Sequence, residues 1–360
     1  MVGIFAVLLF QPVASLSNPS AENAGATNLL PLTDNRQPPF MGLYENVPKA
    51  GGIDQVDEYA TWLNRSLVWG HGSQGWENWG SVEKSFWLIV PWSKWVAALP
   101  GRRVVLSVPL IPGTPKGEKP FTLKEGATGA YNSHFAQLAK MLVDHKLDNS
   151  IIRLGWEFDG SWYPWAARTP ENAGYFAQCF KQVVTTMRAQ PGAEKLTFCW
   201  NGCGEGLPFE LAAAYPGDDC VDFVGLDIYD KTWAQDVYPY PPNASAAEKL
   251  ERQTKAWAAL CNGKFGIKAW LAFAKAHKKP FMIPEWGLWK TKDGHGGDDN
   301  PFFVQQMFTL IHDPENNVYE AAYWDAREAK VIPTGGTTSQ YPKSAELFRN
   351  LFSLPAPAKP

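Results

Sequence analysis

Two glutamates stand where short apolar stretches end, in the segments "SIIRLGWEF" and "KPFMIPEWG". These are Glu157 and Glu285. Glu157 lies among aromatic side chains: Trp156, Phe158, Trp162, Tyr163 and Trp165. Burial against apolar rings disfavours the charged form of a carboxyl group and raises its pKa, so such an acid can keep its proton near neutral pH. The sequence therefore predicts a carboxyl group that donates a proton.

A second carboxylate that stays ionised would complete the pair that glycoside hydrolysis requires. In this interpretation Glu157 is the acid/base, Glu285 is the nucleophile, and their carboxyl groups lie about 5–5.5 Å apart, the retaining separation. The alternatives are structural. Glu157 could pair with Arg153, and Glu285 could cap a helix.

Tryptophan is unusually frequent, with 17 residues in a chain of 360. Many of these rings neighbour Gly, Asn or Asp instead of lying inside apolar runs, and sugars stack on such rings. A tryptophan-rich core is the alternative. The net charge of -3 gives neither the basic surface typical of nucleic-acid binding nor a polybasic membrane signal.

Strand-like runs and helical stretches alternate along the chain. The eight predicted strands are 40–46, 65–72, 102–111, 150–158, 195–202, 221–230, 279–287 and 318–326. The predicted helices are 133–146, 170–190, 266–279 and 345–354, and the insert 231–265 is expected to add a loop and a short helix. This alternation predicts a single (β/α)8 TIM barrel with aromatic-rich loops at its C-terminal face. A doubly wound sheet would require a glycine-rich phosphate loop after the first strand, which "FMGLYENVPKAGG" does not provide.

In a barrel, functional groups lie at the carboxyl ends of the strands. The strand-end candidates are Tyr44, His71, Glu157, Asn201, Asp227, Tyr229, Glu285 and Trp324. His71 could either contribute polar contacts or be a loop residue satisfied by the backbone. No histidine or cysteine spacing matches a metal site, and no cofactor is predicted.

The domain boundaries follow from composition. Residues 1–25 contain the apolar run "GIFAVLLF" and resemble a signal peptide, residues 26–354 form the barrel, and residues 355–360 are a proline-rich tail. We therefore expect a secreted or periplasmic protein that acts as a monomer. Five cysteines leave at least one unpaired, and a disulfide among Cys203, Cys220 and Cys261 is possible in an exported protein.

Glutamates on the fourth and seventh strands resemble the signature of glycoside hydrolase clan GH-A. Within that clan the chain is similar to family 26, known chiefly for endo-β-1,4-mannanases, over roughly residues 40–350. The segment that carries Arg153, Glu157, Gly160 and Trp162 resembles the acid/base stretch of the family. The resemblance implies that Tyr229 hydrogen-bonds the nucleophile Glu285 and that Trp324 stacks under the sugar being cleaved.

One position departs from this pattern, because the mannanases of the family usually carry His where this chain has Trp156. The resemblance thus predicts a retaining hydrolase of a neutral β-linked polysaccharide, with mannan favoured. Neutrality is expected because Arg153 is the main fixed positive charge among the strand-end residues. Other β-glycans, such as β-1,3-xylan, mixed-linkage glucan or an exopolysaccharide, remain open as substrates.

A non-catalytic glycan-binding barrel and a structural barrel are the competing classes of protein. In the hydrolase interpretation, Trp162, Trp165 and Trp324 are expected to line the cleft.

Overall fold

The computed structural model describes residues 40–44, 53–325, 329–331 and 339–353. Its strands are β1 (Phe40–Tyr44), β2 (Trp69–Ser73), β3 (Arg103–Val108), β4 (Ile151–Leu154), β5 (Thr197–Gly202), β6 (Phe223–Leu226), β7 (Ile228–Tyr229), β8 (Phe281–Gly287) and β9 (Val318–Trp324). All neighbouring strands pair in parallel, and pairing of β1 with β9 and of β6 with β8 closes the sheet. The predicted (β/α)8 barrel is confirmed.

The sixth strand of the barrel is split into β6 and β7, with Asp227 between them. The remaining strands follow the predicted runs but are shorter, because residues counted as strand at the ends of several runs form the loops of the C-terminal face. Glu157 is an example, since it lies beyond the last residue of β4.

The helices that surround the barrel are α1 (Ile53–Leu63), α2 (Trp79–Glu83), α3 (Phe86–Ala98), α4 (Leu123–Ala127), α5 (Asn132–Asp144), α6 (Pro170–Arg188), α7 (Ala246–Asn262), α8 (Ile267–Ala276), α9 (Pro301–His312) and α10 (Pro342–Phe352). Helix α6 begins as predicted, with Pro170 in its first turn and the side chain of Thr169 accepting from the backbone N–H of Asn172 at 3.1 Å. Helix α7 has 17 residues and is longer than the short helix expected in the insert.

The interior of the barrel changes from apolar to polar towards its C-terminal face. Near the bottom lies a buried apolar cluster that includes Trp69, Val105, Ile151, Cys199, Phe223 and Met282. Side chains two residues further along a strand point to the same side of the sheet. The next positions on β2, β3, β4 and β5 are accordingly the buried polar residues His71, Ser107, Arg153 and Asn201. The alternation of side-chain direction along the strands thus places a polar layer directly beneath the C-terminal face.

One buried hydrogen bond in this polar layer passes over a whole strand. His71 Nε2 on β2 lies 2.8 Å from Glu320 Oε1 on β9, and both side chains are fully buried. The strand between them is β1, which contributes Gly42. A Cβ atom at Gly42 would lie 2.1 Å from Glu320 Oε1 and 3.0 Å from His71 Nε2. Glycine is therefore the residue that lets the pair form.

Three expectations concern segments or bonds outside this architecture. The predicted leader (residues 1–25) and the proline-rich tail (residues 355–360) lie outside the described residues. All five cysteines are free, so the disulfide considered among Cys203, Cys220 and Cys261 does not form in this structure. In the described part of the chain, no helix has the length and apolar character needed to cross a bilayer.

Candidate active site

Glu157 is presented by a sharp turn at the end of β4. Its φ is +51° and that of Gly155 is +56°, in the left-handed region that residues with a side chain rarely adopt. The turn is held by the backbone N–H of Glu157, which donates to the carbonyl oxygen of Asn201 at 3.0 Å. A non-glycine residue with positive φ persists only where its surroundings impose it, and such residues concentrate at functional sites. The backbone thus turns the carboxyl group of Glu157 out of the strand.

The surroundings of Glu157 favour its protonated form. Its pKa is raised to about 7, mainly because burial removes water from the carboxylate and secondly because the charge of Glu285 is near. Arg153, a hydrogen bond from Trp162 and the charge of Lys231 act in the opposite direction. Trp162 Nε1 donates to Glu157 Oε2 at 2.8 Å. A pKa near neutrality suits a group that must alternately donate and accept a proton.

Glu285 is held from both of its carboxylate oxygens. Tyr229 Oη donates to Oε2 at 2.6 Å, and Arg153 Nη1 donates to Oε1 at 2.5 Å. Two donors, one on each oxygen and one of them a cation, fix the orientation of a carboxyl group. Glu285 is therefore held in one orientation near the Glu157 side chain.

Arg153 is the centre of the polar layer. Its Nε donates to Asn201 Oδ1 at 2.6 Å, its Nη1 also reaches Ser107 Oγ at 3.2 Å, and its Nη2 donates to Asp227 Oδ2. Burial raises the pKa of Asp227 well above its usual range, with Arg153 opposing this shift. All of these hydrogen bonds of the guanidinium lie within the site. They link β3, β4 and β5 with the segments that carry Asp227 and Glu285.

The carboxylates of Glu157, Asp227 and Glu285 approach one another closely. One oxygen from each lies within 4.8 Å of the others, a spacing that could also surround a metal ion. The Arg153 guanidinium, however, already contacts oxygens of Asp227 and Glu285, so much of the negative charge has a counter-ion. The expectation that no metal takes part stays a prediction.

An aromatic wall stands on the Glu285 side. Trp324, at the end of β9, stacks on Trp289 with ring centres 5.4 Å apart and ring planes 19° apart. Tyr229 meets Trp324 edge-on at 5.8 Å. Trp289 lies two residues beyond the end of β8 at Gly287. A search for residues at strand ends therefore does not identify it. Tyr229, which donates to Glu285, thus also contacts this pair of stacked indole rings, in which Trp324 is buried.

The rings that follow Glu157 have different positions. Trp162 is 46% exposed and lines the cleft, as its hydrogen bond to Glu157 requires. Trp165 is fully buried, so the expectation that it lines the cleft is wrong. It stacks on Tyr163 at 4.5 Å, and its Nε1 donates to the carbonyl oxygen of Trp156 at 2.7 Å. Trp165 therefore supports the loop from behind instead of offering a sugar-binding face.

Trp156, at the position that departs from the family pattern, is also nearly buried. Its Nε1 donates to Tyr163 Oη at 2.9 Å. The indole N–H that could have replaced a histidine contact with substrate is thus directed to a neighbouring side chain.

His71 and Tyr44 are also expected at the site from the sequence. His71 is one layer below the cleft and engages Glu320, so neither a substrate contact nor a loop position satisfied by the backbone describes it. The residue is part of β2, and a polar ring buried inside the barrel needs a hydrogen-bond partner, which Glu320 provides. Tyr44 ends β1 and its backbone is paired with Trp324, while its side chain lies outside the described residues.

Two further residues near the site escape the sequence analysis. Lys231 has its ammonium group 5.4 Å from the centre of the Trp289 ring and 5.5 Å from that of Tyr229, so Arg153 is not the only cation of the site. Asp159 is buried, and its carboxylate accepts the backbone N–H groups of Cys203, Gly204 and Glu205 at 2.9, 2.9 and 3.1 Å. Neither residue ends an apolar strand, which is the signal that identifies the other candidates, although Asp159 lies only two residues after Glu157.

A cleft of about 530 Å³ opens beside Glu157. Its lining comes from Glu157 and Trp162, from the loop after β5, from the segment Leu226–Trp233 and from the turn between α7 and α8. The volume falls within the range of about 300–1,000 Å³ that is usual for sites binding small molecules. Acid, aromatic rings and cleft are therefore contiguous.

Comparison with known proteins agrees with this geometry. The family model for glycosyl hydrolase family 26 matches residues 121–290. A mannan endo-1,4-beta-mannosidase of Bifidobacterium adolescentis is 24% identical over 186 residues, which are 51% of this chain and 17% of that protein. The matched segment is thus a small part of that relative's length.

Two solved structures share the fold. A modular endo-beta-1,4-mannanase of Cellulomonas fimi superposes with a TM-score of 0.58 at 16% identity, covering 88% of this chain and 70% of the other. A mannanase of Bacillus subtilis superposes with a TM-score of 0.55 at 16% identity, covering 86% and 84%.

The closed parallel barrel is of the (β/α)8 class, and its paired strand-end glutamates are the kind of carboxyl pair that glycoside hydrolysis requires. The family match spans both glutamates and Tyr229, and the resemblance predicted from the sequence motifs is confirmed: this part of the chain is similar to glycosyl hydrolase family 26.

Proposed function

We propose that this protein is a retaining β-glycanase that cleaves an internal linkage of a polysaccharide by double displacement. The observation that carries the proposal is the unequal treatment of two neighbouring carboxyl groups. The pKa of Glu157 is raised to about 7, whereas Glu285 receives a hydrogen bond from Arg153 on one oxygen and from Tyr229 on the other. Environments that separate two acids in this way assign an acid and a nucleophile.

In the first step, a carboxylate oxygen of Glu285 attacks the anomeric carbon while the bond to the leaving oxygen breaks. Glu157 transfers its proton to that oxygen, so the leaving sugar departs neutral. The product is a glycosyl ester on Glu285, with the configuration at the anomeric carbon inverted once. The carboxylate oxygens lie within 4.8 Å of one another, which supports this route over direct attack by water, because that attack requires carboxyl groups about 6.5–9.5 Å apart with the water between the base and the anomeric carbon.

In the second step, Glu157 has become a carboxylate and acts as a base. It accepts a proton from water, the oxygen of which attacks the anomeric carbon from the face that the leaving group vacated. The ester bond to Glu285 breaks and the second inversion restores the β configuration. Tyr229 and Arg153 keep Glu285 oriented through both steps by their hydrogen bonds.

We propose a β-mannan as the leading substrate. The likeness to family 26 and to proteins named as mannanases supports this choice. Trp156 is nearly buried, and Lys231 is a cation that is not among the strand-end residues from which a neutral substrate is expected. Other β-glycans are therefore retained as candidates. The apolar leader continues to predict export, and a secreted or periplasmic location is part of the proposal.

The test is release of reducing sugar from mannan, glucomannan, mixed-linkage glucan, β-1,3-xylan and alginate, with sizing of the products. We expect oligosaccharides of mixed length from a mannan and no activity in the Glu285→Gln variant. Activity on glucan or xylan without mannan would overturn the substrate, and activity on alginate alone would overturn neutrality. Wild-type protein that is inactive on a broad panel would overturn the proposed activity.

A further inference from the structure

The lining of the cleft beside Glu157 is one-sided. It includes the proton donor, the loop after β5 and the insert that follows β7, but neither ring of the Trp324–Trp289 pair. Because Glu157 must protonate the leaving oxygen, the sugar that departs lies on its side of the scissile bond. This part of the cleft is therefore positioned for the leaving-group portion of the substrate.

Trp233 stands in this part of the cleft with an exposed ring. It is 59% exposed, the most of any large apolar side chain in the described part of the chain. An exposed indole face that lines a cleft offers a flat apolar surface on which a ligand can stack. Trp162, at 46% exposed, is the other exposed tryptophan that lines the same cleft.

The ring of Trp233 is supported from behind. It stacks on the imidazole of His295, with ring centres 5.6 Å apart and ring planes 26° apart. The neighbouring backbone is joined to the same segment. Thr232 N donates to the carbonyl oxygen of His295 at 3.0 Å, and Lys231 forms an antiparallel bridge with Gly296. An aromatic side chain held by a partner ring and by backbone hydrogen bonds loses little freedom when a ligand stacks on it.

Polar groups complete the lining around this ring. Glu205, the backbone N–H of which is fixed by the Asp159 carboxylate, comes from the loop after β5. Lys264, which pairs with Glu210 at 2.9 Å, comes from the turn between α7 and α8. An apolar face accompanied by hydroxyl-binding charges suits a pyranose ring, which has a C–H face and an equatorial rim of hydroxyl groups.

We propose that Trp233 forms a sugar-binding subsite on the leaving-group side of the cleft, where it stacks under a pyranosyl residue of the substrate chain beyond the one that contacts Trp162. This inference rests on the proposed glycanase function and assigns the insert after β7 a role in it. A subsite of this kind binds chains that continue past the scissile bond, so it favours cleavage inside a polysaccharide over removal of a terminal sugar.

The binding test uses mannohexaose, cellohexaose and β-1,4-xylohexaose with the Glu285→Gln protein, which holds the ligands uncleaved. Trp233→Ala is compared with Trp87→Ala, because Trp87 on α3 is similarly exposed, at 50%, and does not line the cleft. We expect the dissociation constant of the hexasaccharide to be about 2- to 12-fold higher for the Trp233→Ala protein, the range that one aromatic stacking contact provides. Equal affinities in the two variants, or no binding of any of the three probes, would overturn the subsite.

A kinetic test separates the subsite from the proposed activity. In the otherwise wild-type enzyme, kcat/KM is measured for tri- to hexasaccharides of the sugar that is cleaved. We expect the advantage of long over short substrates to shrink by a similar factor in Trp233→Ala and to persist in Trp87→Ala. A wild-type enzyme that binds hexasaccharide through Trp233 but cleaves none would contradict the proposed function alone, whereas cleavage with an unchanged length preference would contradict the subsite alone.

Discussion

At the scale of single residues, the site depends on how charges are distributed around two carboxyl groups. Arg153 and Tyr229 supply donors to Glu285, while burial acts on Glu157. Replacing Tyr229 by Phe removes the donor to Glu285 Oε2 and preserves the ring that meets Trp324. We expect kcat to fall by about 10- to 1,000-fold with the fold intact, because one positioned polar contact to a reacting group is lost. An unchanged kcat would make Tyr229 a packing residue.

Lys231 offers a second test of this charge distribution. Its positive charge lowers the pKa of Glu157, so the Lys231→Met variant should raise that pKa. Glu157 must be protonated to act as an acid, and activity is lost as pH rises through its pKa. We therefore expect the alkaline limb of the kcat/KM profile to move to higher pH in Lys231→Met. Lys290→Met is the control, because Lys290 is exposed and pairs with Asp298. Identical alkaline limbs in Lys231→Met and the wild type would refute this coupling.

The sequence is informative about the site where a functional residue ends an apolar strand. Glu157, Asn201, Asp227, Tyr229 and Glu285 are brought together at one end of the barrel as this rule predicts. The rule gives the end of a strand but not its depth, which is why it predicts His71 in the cleft although this residue lies one layer lower. It also cannot separate aromatic rings that face the cleft from rings that support a loop, as Trp162 and Trp165 show.

At the scale of elements, strand β1 is constrained by the hydrogen bond between His71 and Glu320 that passes over it. The Gly42→Ala substitution would place a methyl group 2.1 Å from Glu320 Oε1 if nothing moved. We expect the free energy of unfolding to fall by about 1–3 kcal/mol, since His71 and Glu320 must move apart inside the barrel. Gly174→Ala is the matched control. Gly174 lies within α6 with no atom within 4 Å of its added Cβ, and alanine should be neutral or stabilising there. Equal stability of the two variants would contradict this packing.

The segment that carries Lys231 and Trp233 is anchored by Asp230. Its carboxylate accepts from Asn300 Nδ2 at 2.7 Å and from Tyr238 Oη at 3.0 Å, and Asn300 also caps α9. Burial raises the pKa of Asp230 to about 7, with both hydrogen bonds opposing the shift. The folded protein therefore holds a proton that the unfolded chain releases above about pH 4.

This linkage has a definite sign. Because the folded state binds more protons than the unfolded state between about pH 4 and pH 7, the free energy of unfolding should fall as pH rises through that window. Asp230→Asn keeps a similar shape but cannot ionise. We expect the variant to lose stability less steeply than the wild type across this window, measured as Tm against pH, with Asp298→Asn as the exposed control. Parallel Tm curves for Asp230→Asn and the wild type would contradict a raised pKa for Asp230.

At the scale of the whole molecule, the fold is predictable because its signal is repeated. Eight apolar runs alternating with helical stretches define a barrel even when individual boundaries differ by several residues. Local sequence patterns do not predict the structure of the insert after β7. Its 17-residue helix α7 has only one buried residue, Ala256, and therefore presents a weak apolar pattern. The position of Trp233 depends on a bridge to the loop after β8, which brings together residues 63 and 65 positions apart.

The most direct test of the central claim is to identify the residue that becomes covalently glycosylated. A 2-deoxy-2-fluoro-β-mannosyl fluoride, or the corresponding derivative of whichever sugar the enzyme cleaves, slows the second step and allows the glycosyl ester to accumulate. Intact-protein mass and peptide mapping should then show a single fluoroglycosyl adduct on the peptide with Glu285, and none in the Glu285→Gln variant. An adduct on another carboxylate, or direct formation of product with inverted anomeric configuration in NMR spectra of the natural reaction, would contradict the account.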